Sequence, residues 1–196
     1  MTMKHSNIIL LISVLISFSC DSQNEQGYDK KAIALNNYAT ELMLNKPDSA
    51  LLLLNEATEI DPDYYLAHNN KINLFITKGE IDKAIRSAEK SVELKPNIAE
   101  AVIMLGMLYD YNGNTDKAKE QYSKALDIFK KRLETSDKNK FENRLNRAYA
   151  LLLLGEKKEG KTEIQKLLQE NPNDYTIQIL ADFDKEQYLT DLFRQK

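Results

Sequence analysis

The sequence of 196 residues predicts an all-α fold made of repeated helix pairs. Apolar residues recur three and four positions apart over long stretches, which is the spacing of one helix face. Only six glycines and four prolines are present, too few for the dense turns of a many-stranded β fold. Small residues and prolines also keep a period of 34, as shown by Ala50, Ala84 and Ala118, by Gly79 and Gly113, and by Pro62 and Pro96.

Each repeat is predicted to be two helices joined by a short turn. In residues 65–96 the first helix has apolar positions at Leu66, Ile72, Phe75 and Ile76. Gly79 suits the turn because glycine adopts positive φ at the end of a helix. The stripe of the second helix follows at Ala84, Ile85, Ala88 and Val92. Pro96 is expected to end that helix.

The best copy of the repeat lies in residues 99–129. It carries Leu105, Gly106, Tyr109, Gly113, Ala118, Tyr122 and Ala125. This pattern resembles the tetratricopeptide repeat (TPR) family. The resemblance implies a TPR-type α-solenoid, a right-handed superhelix of antiparallel helix pairs, with copies at 31–64, 65–98, 99–140 and 141–174. Gly106 and Ala84 are expected to let two helix backbones approach closely.

The third and fourth copies depart from the family pattern. Gly113 and Gly155 are 42 residues apart instead of 34, so we expect the second helix of the third copy to be about two turns longer. The fourth copy has Gly160 and Leu167 where the family usually has alanine.

Residues 175–196 are predicted to form C-terminal capping helices. Tyr175–Ala181 matches a further first helix, and Lys185–Arg194 is amphipathic, with Tyr188, Leu189, Leu192 and Phe193 on one face. A solenoid needs a cap over its last apolar face. The alternative is that the amphipathic helix docks a partner.

The N-terminus is predicted to direct the protein to the bacterial envelope. An apolar run of 11 residues, Ile8 to Phe18, is too short to span a bilayer and has the length of a signal-peptide core. It ends at Cys20, the single cysteine, and so resembles a lipoprotein signal, although Ser17 and Phe18 depart from the family's preferred box. The resemblance implies a signal peptide at 1–19 and, at 20–30, a lipidated Cys20 with a tether. A plain signal peptide or uncleaved anchor is the alternative.

Composition excludes several classes of function. The net charge of -3 gives no support for nucleic-acid binding. One cysteine excludes a cysteine-based metal cluster, and two histidines leave little material for catalysis. His68 is expected to be a packed side chain. No phosphate-binding glycine loop or hydrolase motif is present. We therefore expect no enzyme, no metal and no cofactor.

The remaining feature is a concave binding face formed by the first helices. The alignment with the family assigns to it Asn69, Asn70, Asn73, Ile103, Met104, Met107, Tyr111, Asn146 and Tyr149. Asparagine amides both donate to and accept from an extended peptide. No lysine or arginine occupies the positions of the family's carboxylate clamp, so the partner is expected to be a neutral or basic protein segment.

The sequence thus favours a non-enzymatic scaffold lipoprotein that mediates protein–protein interaction at the bacterial cell envelope, facing the periplasm or the cell surface. The lipid anchor would attach it to a membrane. An accessory envelope subunit that binds glycan or cell-wall material is the alternative, for which only Tyr111 and Tyr149 qualify. A hydrolase or transferase is a third class, disfavoured by the histidine and cysteine counts.

Overall fold

The computed structural model describes residues 27–136 and 138–194, and in those residues it contains ten helices and no strand. The predicted signal peptide and Cys20 lie outside the described residues. The described chain forms two compact units that meet in sequence between Pro96 and Asn97. The all-α prediction is confirmed.

The N-terminal unit, described from Gly27 to Pro96, contains two helix pairs. They are α1 (Lys30–Leu42), α2 (Pro47–Ile60), α3 (Tyr65–Thr77) and α4 (Ile81–Leu94). Helix α1 packs on α2, α2 on α3, and α3 on α4. The Asp29 carboxylate caps α1 by accepting from the backbone N–H groups of Lys31 and Ala32, at 2.7 and 3.2 Å.

The C-terminal unit runs from Asn97 to Arg194. Its helices are α5 (Ala99–Tyr111), α6 (Thr115–Thr135), α7 (Lys140–Leu154), α8 (Lys157–Glu170), α9 (Tyr175–Ala181) and α10 (Lys185–Phe193). Helix α5 packs on α6, α6 on α7, α7 on α8, and α8 on α9. The chain leaves α7 through Gly155, whose φ of 100° favours glycine.

The longer second helix of the third copy is confirmed. Helix α6 has 21 residues, whereas α4 has 14, and the seven extra residues amount to about two turns. Hydrogen bonds from Arg132 hold the last turns of α6 against the start of α5. The Arg132 guanidinium donates to the Glu100 carboxylate at 2.8 Å and to the Asn97 carbonyl at 3.0 Å. Glu100 is buried, and Arg132 supplies the charge that its burial requires.

Gly106 is a site of close approach, although the neighbour differs from the expected one. A Cβ atom at Gly106 would lie 2.6 Å from the ring of Tyr122, which is fully buried in α6. The small residue therefore makes room for an aromatic ring rather than for a second helix backbone.

The two C-terminal helices have nearly the predicted bounds. Helix α9 covers Tyr175–Ala181, and α10 ends at Phe193. Aspartates cap both, since Asp174 accepts from the N–H of Thr176 and Asp184 from that of Gln187. Among the described residues, no helix is long and apolar enough to cross a membrane.

Candidate interaction surfaces

The inner face of the N-terminal unit, formed by α1 and α3, carries an asparagine pair at the repeat spacing. The Asn70 side-chain amide donates to the side-chain oxygen Oδ1 of Asn36 at 2.8 Å. Asn36 is buried, and its amide donates to the Tyr64 hydroxyl at 3.3 Å. Asn70 is thus used within the fold, where it ties two successive first helices together.

Two further asparagines on α3 remain available for hydrogen bonds to a partner. Asn69 and Asn73 are half-buried and lie four residues apart, about one helical turn. Within the described residues neither carboxamide has a hydrogen-bond partner. Each therefore offers a donor and an acceptor on the same face, next to the Asn36–Asn70 pair.

The predicted binding residues of the C-terminal unit are mostly enclosed. Ile103, Met104 and Met107 of α5 are buried, as are Asn146 and Tyr149 of α7. The Tyr149 hydroxyl donates to the Met107 sulfur at 3.1 Å, so two of these residues contact each other. Tyr111, at the end of α5, is 37% exposed.

Helix α10 packs against two residues of this set, Tyr111 and Tyr149. The ring of Phe193 lies 5.0 Å from that of Tyr111, and the ring of Tyr188 lies 5.9 Å from that of Tyr149, nearly perpendicular to it. Phe183, just before α10, also packs edge-on against Tyr149, at 5.5 Å.

An ion pair fixes the first turn of α10 to the same surface. The Lys185 ammonium donates to the Asp110 carboxylate at 2.9 Å, and these side chains are 28% and 10% exposed. The Tyr122 hydroxyl donates to the same carboxylate oxygen at 3.3 Å. Sequence reasoning missed the pairing of Lys185 with Asp110, because no local pattern links residues 75 positions apart.

Burial also shifts the pKa values of the tyrosine hydroxyls near α10. It raises the pKa of Tyr188 to about 12, and it raises the pKa of Tyr122 above its ordinary range, with the nearby Asp110 charge acting in the same direction. Burial raises the pKa of Tyr149 as well. All three are therefore neutral around pH 7.

A cationic cleft of about 290 Å³ lies between α3 and α4 in the N-terminal unit. Its lining residues are His68, Lys71, Phe75, Lys83, Arg86, Ser87 and Lys90. His68 is half-buried, and its Nε2 lies 2.9 Å from the Pro62 carbonyl oxygen, so this histidine is packed against the backbone as expected.

No group of three or more histidine, cysteine or acidic side chains is placed to hold a metal ion in the described part of the chain.

Residues 67–98 and 99–132 match the family model of the tetratricopeptide repeat. These two stretches are tetratricopeptide repeats. The chain is also similar to the TPR repeat-containing protein MJ0940 of Methanocaldococcus jannaschii, with 35% identity over 82 residues. That match takes in 42% of this chain and 26% of the relative, so the chain spans about a quarter of the length of that protein.

Solved structures show the same fold. YrrB, described as a TPR protein with an unusual peptide-binding site, is 18% identical, with a TM-score of 0.54 over 93% of each chain. The crystal structure of MamA is 20% identical, with a TM-score of 0.53 over 83% of this chain and 86% of MamA. The predicted all-α TPR solenoid is thereby confirmed.

Proposed function

We propose that the chain is a non-enzymatic TPR scaffold, lipid-anchored at Cys20 in a bacterial envelope, that binds an extended segment of another protein. A TPR solenoid is a protein-interaction fold, and the peptide-binding site of YrrB supports peptide recognition here. The anchor rests on the sequence, in which the only cysteine closes the apolar run of a signal peptide.

One observation carries the choice of surface. Asn69 and Asn73 are the predicted contact residues that keep a half-exposed carboxamide without a partner in the described residues, whereas Asn70 is bonded to Asn36. Two such amides one turn apart match the alternating N–H and C=O groups of an extended backbone. The inner face of the N-terminal unit is therefore the proposed peptide site.

The glycan-binding alternative loses its main support. It depended on Tyr111 and Tyr149 as stacking surfaces, but Phe193 packs on Tyr111, and Tyr149 is buried. A sugar ring would have to displace α10 to reach Tyr149, and Tyr111 is already in contact with Phe193. A protein segment on the asparagine face requires no such change.

The test is an Asn73→Ala substitution in the full chain. Once a partner segment has been captured by photo-crosslinking from position 69, its affinity is measured against wild-type and variant protein. We expect Asn73→Ala to weaken binding by about 1–2 kcal/mol, because a backbone group of the partner loses its mate. Asn55→Ala, on the second helix α2, is the matched control and should leave affinity unchanged.

Circular dichroism accompanies the titration, because helix content should be the same in all three proteins. Equal affinity of the Asn73→Ala variant and the wild type would move the peptide site away from this face.

A further inference from the structure

Helix α10 occupies an unusual position for the last helix of a repeat fold. A terminal cap covers the final helix pair, and here α9 packs on α8. The main neighbour of α10 is instead α5, the first helix of the C-terminal unit. The chain therefore turns back at Asp182–Asp184 and places α10 over α5 and α7, which come earlier in the sequence.

The surface under α10 has the form of a helix-binding groove. Four of its side chains, Tyr188, Leu189, Leu192 and Phe193, are buried, and they follow the i, i+1, i+4, i+5 pattern of an amphipathic helix seated in a groove. The floor is made by α5 and α7, the helices to which the family alignment assigned partner contacts.

The groove also selects by charge. Asp110 is 10% exposed, and Lys185 reaches it from the first turn of α10. A nearly buried carboxylate needs a cation or hydrogen-bond donors close by. Any segment that takes the place of α10 must therefore bring a positive charge to the same position.

Physical considerations indicate that α10 can leave its groove and return to it. Helix α10 has nine residues, and a helix of that length is marginal by itself in water. Its release breaks its own contacts and leaves the packing of α5, α6, α7 and α8 on one another in place. Local elements of a protein can open with less free energy than the whole fold.

We propose that α5 and α7 form a second, helix-binding site, which residues 183–193 occupy as an internal ligand. The partner that replaces them is an amphipathic helix with a lysine or arginine followed, three, four, seven and eight positions later, by aromatic or leucine side chains. This site is separate from the asparagine face of the proposed function, and either can fail without the other.

The test uses the full chain and a fluorescein-labelled synthetic peptide of residues 183–196 as the probe. In the variant Lys185→Glu, a carboxylate replaces the cation beside Asp110 and drives the internal segment out. We expect this variant to bind the peptide at least tenfold more tightly than the wild type, measured by fluorescence anisotropy.

Three controls define the result. Lys161→Glu, an exposed site on α8 with the same change of charge, should bind like the wild type. A peptide carrying Lys185→Glu should lose its binding to the opened chain. Phe193→Ala, which weakens the far end of α10 and keeps the ion pair, should also admit the unmodified peptide.

The proposal is wrong if neither Lys185→Glu nor Phe193→Ala binds the peptide better than the wild type does. It is equally wrong if both variants unfold the C-terminal unit by circular dichroism, since α10 is then an integral part of the fold. Dimers of Phe193→Ala that exchange α10 would make a second copy of the chain the occupant, and would overturn the assignment to a partner helix.

Discussion

His68 illustrates how a single side chain acquires its chemistry from its neighbours. Burial lowers the pKa of this histidine below its ordinary value, and Lys71 and Lys90 act in the same direction, whereas the Pro62 carbonyl and Asp63 oppose them. The lining of the cationic cleft thus favours a neutral imidazole that donates to the backbone of Pro62.

The pKa shift of His68 predicts a pH dependence of stability. Below the ordinary pKa of 6.5 the unfolded chain takes up a proton that the folded chain resists, so stability is complete above this pH and falls as the pH drops through it. We expect the urea midpoint to decrease between pH 7.5 and 5.5, and His68→Gln to reduce the slope. An identical slope in the two proteins would show that His68 does not titrate in this way.

The sequence allowed some residue roles to be predicted and left others hidden. The alignment with the family assigned Asn69, Asn70 and Asn73 to one face. The described structure places Asn70 in a hydrogen bond with Asn36, 34 residues earlier, which is the length of one repeat. Which side-chain amides form hydrogen bonds within the fold depends on whether each side chain is close enough to a polar group on a neighbouring helix. A single sequence holds no information on that distance.

At the scale of helices, packing is decided where two helices cross. At the crossing of α5 and α6, Gly106 faces the ring of Tyr122, which is fully buried and whose hydroxyl donates to the Asp110 carboxylate. At the crossing of α7 and α8, a Cβ on Gly160 would lie 2.8 Å from Leu152 and 3.2 Å from the backbone oxygen of Ala148. The departure of Gly160 from the family pattern therefore has a steric reason.

Gly106→Ala is predicted to destabilise the protein. Overpacking of a core costs about 1–3 kcal/mol, and the better helix propensity of alanine returns about 1 kcal/mol. We expect a net loss of up to about 2 kcal/mol in the free energy of unfolding, measured by urea denaturation. Ser123→Ala, exposed on α6, is the control and should not destabilise the chain. An unchanged midpoint for Gly106→Ala would mean that the ring of Tyr122 can shift without cost.

Element boundaries followed well from the sequence, while the placement of α10 did not. The helix pairs, the longer α6 and the bounds of α9 were all predicted from spacing and turn residues. The amphipathic stripe of α10 showed that one face must be buried, but a stripe of this kind does not specify which surface covers it. That choice depends on the contact between Lys185 and Asp110, which are far apart in the chain.

For the molecule as a whole, the proposed lipid on Cys20 would attach the chain to a membrane. If Cys20 carries the lipid, then Cys20→Ser should remove the lipid label and leave either an uncleaved form or a form released from the membrane fraction. The measurement is metabolic labelling with a fatty-acid analogue, followed by fractionation. Asn55→Ala serves as a labelled control, and equal labelling of the Cys20→Ser protein would rule out this anchor.

The buried tyrosine cluster under α10 gives the protein an optical property of its own. The chain contains ten tyrosines and no tryptophan, so tyrosine dominates its near-ultraviolet absorbance. Because burial raises the pKa of Tyr188 to about 12 when α10 is seated, against an ordinary pKa of 10.0, we expect its phenolate band to appear at higher pH in the seated state than after the helix has left. The pH dependence of the ultraviolet absorbance of the unlabelled protein therefore reports whether α10 is seated.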